Sequence, residues 1–193
     1  DIDADIVNAF ALPGGQIVVY TGLIKNAKRP EQVAGVVAHE IAHVTRRHGL
    51  QRIAHSIGIT ALISGLLGDV GGLVAVAGEL LELSTINKYS RNHETEADEE
   101  GVRMLHAAGI DPLGMAEFFQ IMKDTHGDLP AVVSWISTHP EHDARIAAIK
   151  AQLATLPEKK YTLLQSDWAD VLERVGGALE QEDKDPAADD KEL

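Results

Sequence analysis

The sequence predicts an α+β domain that is mostly helical, with a small antiparallel sheet near its N-terminus. Two extended runs, residues 6–12 and 16–21, flank the turn residues Pro13-Gly14-Gly15, a pattern typical of a β-hairpin. Apolar residues then recur at helical spacing in segments bounded mostly by capping residues, prolines or glycines. These predicted helices span residues 31–48, 89–108, 111–123, 138–156 and 167–179.

Length and composition indicate a single domain. The chain has 193 residues, of which 45% are hydrophobic, enough to bury a substantial core. We expect the domain to span residues 1–179. Residues 180–193 contain seven acidic residues, two lysines and little to bury, so we expect a disordered acidic tail. Because the chain starts at Asp1 and soon enters an apolar strand-like run, we also expect that it is trimmed at its N-terminus.

The charge and the cysteine count exclude several classes of partner and site. A formal net charge of -13 argues against nucleic acid or an anionic membrane surface as the main partner, because both are bound through surplus Lys and Arg. The chain has no cysteine, so any metal ligand must be a histidine or a carboxylate. The sequence does not indicate an oligomeric state.

An apolar, glycine-rich stretch occupies residues 57–83 and has two interpretations. Asp69 and Gly71-Gly72 divide it into pieces that are too short to span a bilayer. The favoured interpretation is a helical hairpin packed on the core. The alternative is a surface for membrane or partner contact, because so long an apolar stretch is difficult to cover in a domain of this size.

The motif His39-Glu40-Ile41-Ala42-His43 predicts a zinc site. Residues at i and i+4 differ by about 40° around a helix, so both imidazoles can reach one ion with Glu40 beside it as a base. A third ligand from the same helix is not available. Arg46 and Gly49 break the metzincin pattern, and a continuous helix turns His48 about 140° away from His43.

A predicted helix over residues 89–108 offers the missing ligand. Glu94 and Asp98 fall on its apolar stripe, where a buried carboxylate needs a cation or hydrogen-bond donors. We therefore predict Glu94 as the third metal ligand. Asp98, one turn further on, is placed to accept the free N–H of a ligating imidazole.

These motifs, in this order, resemble the zinc peptidase family of the CAAX prenyl proteases, the membrane heat-shock protease and the periplasmic β-barrel-assembly-enhancing protease. Beyond His39-Glu40-x-x-His43, the resemblance rests on Ser90-Arg91-x-x-Glu94-x-x-x-Asp98, on His139-Pro140 with Arg145, and on the N-terminal segments Asn8-Ala9-Phe10, Pro13-Gly14-Gly15 and Tyr20-Thr21-Gly22-Leu23. It covers residues 4–149 and implies a zincin-like domain with one Zn²⁺ per chain.

The resemblance also implies roles for individual residues. It implies zinc ligands at His39, His43 and Glu94, the base at Glu40, and catalytic contributions from Asp98, His139 and Arg145. His139 matches a histidine that either stabilises the oxyanion or closes the open zinc position and keeps the enzyme latent. Arg145 lies about 240° around the helix from His139 and would have to reach back to the site. The segment Asn8-Ala9-Phe10 would be an edge strand that pairs with an extended substrate.

The leading hypothesis is a zinc endopeptidase of the bacterial cell envelope, in the periplasm, that cleaves unfolded or misassembled proteins in extended form. The alternative is a chaperone or adaptor that binds client proteins while His139 plugs a latent or structural zinc site. The remaining histidines lack ligand spacing and are predicted to be ordinary surface, core or structural residues: His48, His55, His93, His106, His126 and His142.

Overall fold

The computed structural model describes residues 6–12, 14–67, 89–125, 139, 142–164 and 167–182. Within these ranges the chain forms one two-stranded sheet and seven helices, so the predicted α+β, mostly helical class is confirmed. The strands are β1 (Ala9–Ala11) and β2 (Ile17–Val19). The helices are α1 (Thr21–Asn26), α2 (Pro30–Thr45), α3 (His48–Leu67), α4 (Arg91–Ala108), α5 (Leu113–Thr125), α6 (His142–Leu153) and α7 (Trp168–Glu182).

The predicted β-hairpin is present, with strands of only three residues each. β1 and β2 pair antiparallel with Phe10 opposite Val18. The turn is closed by backbone bonds from Leu12 N to Gln16 O and from Gly15 N to Leu12 O. Gly15 has a φ of 89°, in the region where glycine avoids the steric cost that a side chain would add.

Helix α2 lies at the centre of the domain. It packs against α4 and α5, while both strands and α3 also contact it. Helix α6 completes the arrangement by packing on α4 and α5. The core that these elements enclose is apolar and contains the largest buried side chains, Phe118, Phe119, Leu23, Met115 and Met122. Any polar side chain on the inner face of α2 is therefore removed from water.

Small residues let the neighbouring helices approach α2 closely. A Cβ added at Gly35 of α2 would lie 2.6 Å from Met115 Cα, so the two backbones are nearly in contact there. A Cβ at Gly101 of α4 would lie 3.3 Å from the backbone nitrogen of His39. The close approach of α4 brings its side chains within reach of those on α2.

The boundary between α2 and α3 differs from the prediction. The sequence predicted one helix over residues 31–48, but α2 ends at Thr45 and α3 starts at His48. The intervening Arg47 has a left-handed φ of 58°, which is incompatible with a continuous helix. Arg46 N and Arg47 N close the end of α2 by bonding to Ala42 O and Val44 O.

The cap residues of α4 fix its register. Ser90 accepts a hydrogen bond from the backbone N–H of His93 at the start, and Gly109 ends the helix with a φ of 77°. The predicted buried stripe is present from Glu94 to Leu105, whereas Ala108 is exposed. The two carboxylates of the stripe therefore point into the domain.

The remaining predicted elements agree with the structure only in part of their length. Helix α6 is described from His142 to Leu153, within the predicted range 138–156, and α7 continues to Glu182. Of the apolar stretch over 57–83, residues 57–67 belong to α3 and the rest lies outside the described residues, as does the tail beyond 182. None of the helices in the described ranges is both long enough and apolar enough to cross a bilayer.

The contact between α2 and α5 predicts a cost for any side chain at Gly35. We expect Gly35→Ala to lower the free energy of unfolding by about 1–3 kcal/mol, because the new methyl group would overlap the Met115 backbone. Gly58 in α3 is the matched control, since a Cβ there meets nothing within 4 Å and alanine is the better helix former. Urea denaturation followed by circular dichroism measures both changes, and an equal gain in both variants would contradict this packing.

Candidate metal centre

Four side chains with metal-binding atoms converge beside α2. His39 and His43 come from successive turns of α2, Glu94 from the first turn of α4, and His139 from the chain ahead of α6. One donor atom of each lies within 4.8 Å of the donor atoms of the other three. All four residues are buried, with at most 2% of their surface exposed. The structure thus brings the three predicted ligands together and adds His139 to them.

The separations within this group fit a single metal ion. The short contacts run from 3.0 Å between His39 Nε2 and His43 Nε2 to 3.6 Å between His39 Nε2 and Glu94 Oε2, and all four donor atoms lie within 4.8 Å of one another. His139 Nδ1 lies 3.2 Å from His39 Nε2 and 3.2 Å from Glu94 Oε1. A tetrahedral site with bonds of about 2.0–2.1 Å, as zinc forms with imidazole and carboxylate, has ligand-to-ligand edges of about 3.3–3.4 Å. The donor set therefore has the size and chemistry that such an ion requires.

Glu40 lies beside this group with one carboxylate oxygen free of hydrogen bonds. Its side chain is buried and Oε1 has no hydrogen-bond partner, although His139 Nε2 lies 3.4 Å away. The backbone N–H of Ala11 in β1 donates to the carboxylate. Burial raises the pKa of Glu40, and the charges on His139 and His39 only partly oppose this effect. A buried carboxylate with an unused oxygen is poised to accept a proton.

Asp98 and Arg145 form an ion pair behind the histidines. Asp98 Oδ1 lies 2.9 Å from His39 Nδ1, the contact expected for a carboxylate that orients a ligating imidazole. Arg145 donates to both oxygens of Asp98, from Nε and from Nη2, at 2.7 Å each. Its Nη1 lies 2.6 Å from Glu94 Oε2. Arg145 thus reaches the two carboxylates of α4, across the contact between α6 and α4.

The charges of the centre favour a bound cation. Burial opposes the charge on His39, yet the hydrogen bonds that it donates to Asp98 and Glu94 outweigh this effect and raise its pKa to about 9. Burial also opposes ionisation of Glu94, but His139 and Arg145 hold its pKa well below the usual range. With Glu40 ionised and the imidazoles neutral, as metal ligation requires, three buried carboxylates face one guanidinium, which leaves two negative charges for a divalent ion to offset.

The imidazole of His43 has neighbours that the sequence did not reveal. Burial lowers its pKa well below the usual value, so the ring is neutral. Tyr89 stacks on the His43 ring with centroids 3.8 Å apart. The guanidinium of Arg52 lies over the Tyr89 ring, 4.5 Å from its centroid. His48 Nδ1 lies 3.0 Å from His43 Nδ1. The prediction that His48 points away is wrong, because it assumed a helix that continues past Arg47.

The outer edge of β1 faces the centre. Tyr20 N bonds to Asn8 O, so by the alternation of an antiparallel ladder the backbone groups of Asn8 and Phe10 point to β2. Those of Ala9 and Ala11 point to the opposite edge, where Ala11 contacts Glu40. In the described part of the chain, β1 pairs only with β2. Of the three residues predicted to bind substrate, Ala9 alone turns its backbone groups outward.

Comparison with known proteins agrees with this arrangement. The model of the family described as Peptidase family M48 matches residues 2–153. Mitochondrial metalloendopeptidase OMA1 of Schizosaccharomyces pombe is 30% identical over 155 residues, which are 80% of this chain and 46% of that protein. Beta-barrel assembly-enhancing protease of Escherichia coli K12 is 33% identical over 156 residues, which are 76% of this chain and 32% of that protein.

The chain therefore spans less than half the length of these relatives. The family match, in contrast, covers most of the chain and includes α2, α4, His139 and Arg145, which together form the centre. On this evidence the chain belongs to peptidase family M48.

Proposed function

We propose that this domain is a zinc-dependent endopeptidase. The observation that carries the proposal is the buried set of donors from His39, His43, Glu94 and His139, with a Glu40 oxygen that makes no hydrogen bond beside it. Membership of a peptidase family and the metalloendopeptidase and protease names of the relatives support the same activity. The absence of thiols in the chain and the presence of imidazole and carboxylate donors favour zinc as the ion, one per chain.

Each residue of the centre has a role that its position supports. A bound zinc ion supplies Lewis acidity and makes water a nucleophile near neutral pH. His39, His43 and Glu94 hold the ion. Glu40 takes the proton of the attacking water at its free oxygen and delivers it to the leaving amide nitrogen. Asp98 accepts the N–H of His39 and fixes the ring, while Arg145 balances the charge of Asp98 and Glu94.

His139 gives the centre a fourth protein donor and supports a latent resting state. Its Nδ1 lies 3.0 Å from Glu94 Oε2 and 3.2 Å from His39 Nε2, within the group that would surround the ion. Catalytic zinc sites keep one position open for water or substrate, whereas four protein ligands are typical of closed sites. We infer that His139 closes this position and must leave it before cleavage. Permanent closure would instead suit the alternative function of a client-binding protein with a structural ion.

An extended polypeptide of the cell envelope is the substrate that we propose. The outer edge of β1 offers the backbone groups of Ala9 to a substrate strand, and this edge leads to Ala11 and Glu40. Only an unfolded or misassembled segment can add to the edge in this way. Relatives named beta-barrel assembly-enhancing protease support a periplasmic or envelope location.

Removing the fourth donor should activate the enzyme. We expect His139→Ala to raise chelator-sensitive cleavage of an unfolded substrate such as casein by at least about tenfold, because water can then occupy the open position. The variant should still bind one zinc ion through the remaining three ligands. The rate of casein cleavage and the zinc content after dialysis are the measurements.

The matched control is His106→Ala, which removes a histidine that contacts Tyr161 and none of the centre. Its cleavage rate should equal that of the wild type. A lower rate in His139→Ala would show that His139 stabilises the transition state. No cleavage with any preparation, despite bound zinc, would favour the client-binding function.

Glu40 should be required for cleavage and dispensable for metal binding. Glu40→Gln keeps the shape of the side chain and removes its basicity, so we expect a fall of at least about 100-fold in cleavage with unchanged zinc content. The substitution is to be made in both the wild type and the His139→Ala variant, so that latency does not hide the loss. Glu173→Gln on the exposed face of α7 serves as the control. Equal cleavage with and without the Glu40 substitution would remove this residue from the mechanism.

A further inference from the structure

A short chain of hydrogen-bonding groups leads from His43 to the surface. His48 is completely buried, and its Nδ1 lies 3.0 Å from His43 Nδ1. On the other side of its ring, His48 Nε2 lies 3.2 Å from Glu96 Oε2. The Glu96 side chain is 56% exposed, so this series of hydrogen-bonding groups starts at the metal centre and ends in solvent.

Metal binding would leave only one arrangement of protons in this chain. His43 points its Nε2 toward His39, Glu94 and the rest of the metal centre. As a neutral metal ligand it therefore carries its proton on Nδ1. That N–H has His48 Nδ1 as its acceptor, which requires His48 to carry its own proton on Nε2. The proton on Nε2 is then donated to the Glu96 carboxylate. Every donor has an acceptor in this arrangement.

We propose that His48, supported by Glu96, is a positioning residue that sets the tautomer and orientation of His43 for metal binding. The inference rests on the proposed function, in which His43 is a ligand. It gives the two histidines of the motif matching support. The Nδ1 of His39 lies 2.9 Å from the Asp98 carboxylate. The Nδ1 of His43 is linked to the Glu96 carboxylate through the imidazole of His48.

The local fold is built to hold His48 in this place. A helix continued through residue 48 would carry the ring about 140° away from His43. The left-handed Arg47 redirects the chain and lets His48 return to α2, although a non-glycine residue is strained in this conformation. His93 of α4 stacks on the His48 ring with centroids 4.4 Å apart. Tyr89 covers the face of His43, so both rings have fixed planes.

The test compares two substitutions at His48 by their zinc affinity. His48→Leu keeps the bulk of the side chain and removes the acceptor, so we expect the zinc dissociation constant to rise about 10- to 100-fold. His48→Asn places Oδ1 close to the former Nδ1 and should restore affinity to within about threefold of wild type. Competition with a chelator measures both, on apoprotein shown by circular dichroism to be folded. His106→Leu is the control for losing a histidine elsewhere and should leave the affinity unchanged.

A second measurement needs no variant. In zinc-loaded wild type, nitrogen-15 spectra of the imidazoles should show protonated Nδ1 in His43, unprotonated Nδ1 in His48 and protonated Nε2 in His48. The opposite tautomer of His48 would overturn the proposal. Equal zinc affinities of the His48→Leu variant and the wild type would also overturn it. An equal loss of zinc affinity in the His48→Leu and His48→Asn variants would do the same, because it would indicate a role in packing alone.

His43→Ala separates failure of this inference from failure of the proposed function. If that variant loses zinc while His48→Leu binds it as wild type does, His43 is a ligand and only the role of His48 is wrong. If His43→Ala keeps full affinity, the ligand set of the proposed function is wrong as well.

Discussion

The paired contact between Arg145 and the carboxylates of Asp98 and Glu94 is the interaction on which the centre depends. These groups are almost completely buried, and an ion removed from water costs several kcal/mol unless a partner compensates it. The guanidinium binds Asp98 through two parallel hydrogen bonds and contacts Glu94 through its third nitrogen. It therefore stabilises the one carboxylate that holds His39 and the one that we assign to the metal. Removing it would leave both charges uncompensated.

The packing of the helices brings the carboxylates of α4 to the histidines of α2. Gly101 on α4 lets the backbones of the two helices approach closely enough for short side chains to meet between them. The break after Thr45 has a similar effect at the other end of the centre, because it turns α3 back toward His43. The surroundings of the two motif histidines are thus determined by backbone geometry: the close approach of α4 for His39, and the left-handed residue Arg47 for His43.

Periodicity predicted those parts of the centre that lie on a single helix. The spacing of His39 and His43, and the stripe that holds Glu94 and Asp98, follow from 3.6 residues per turn, and the structure places all four side chains inward. The position of His48 was not predicted, because helical periodicity was extended across the break after Thr45. The left-handed residue at that break is Arg47, and no glycine or proline marks it in the sequence. The outward direction of Ala9 depends on strand register, and the contacts of Arg145 on the distance between α4 and α6. Neither quantity is encoded in local spacing.

The most direct test of the account is X-ray absorption at the zinc edge of the loaded wild-type protein. We predict a single ion with four nitrogen or oxygen ligands at about 2.0–2.1 Å and the outer-shell scattering of three imidazoles, those of His39, His43 and His139. A shell of five or six oxygens, or scattering from fewer than two imidazoles, would contradict the claim that these buried side chains hold the ion.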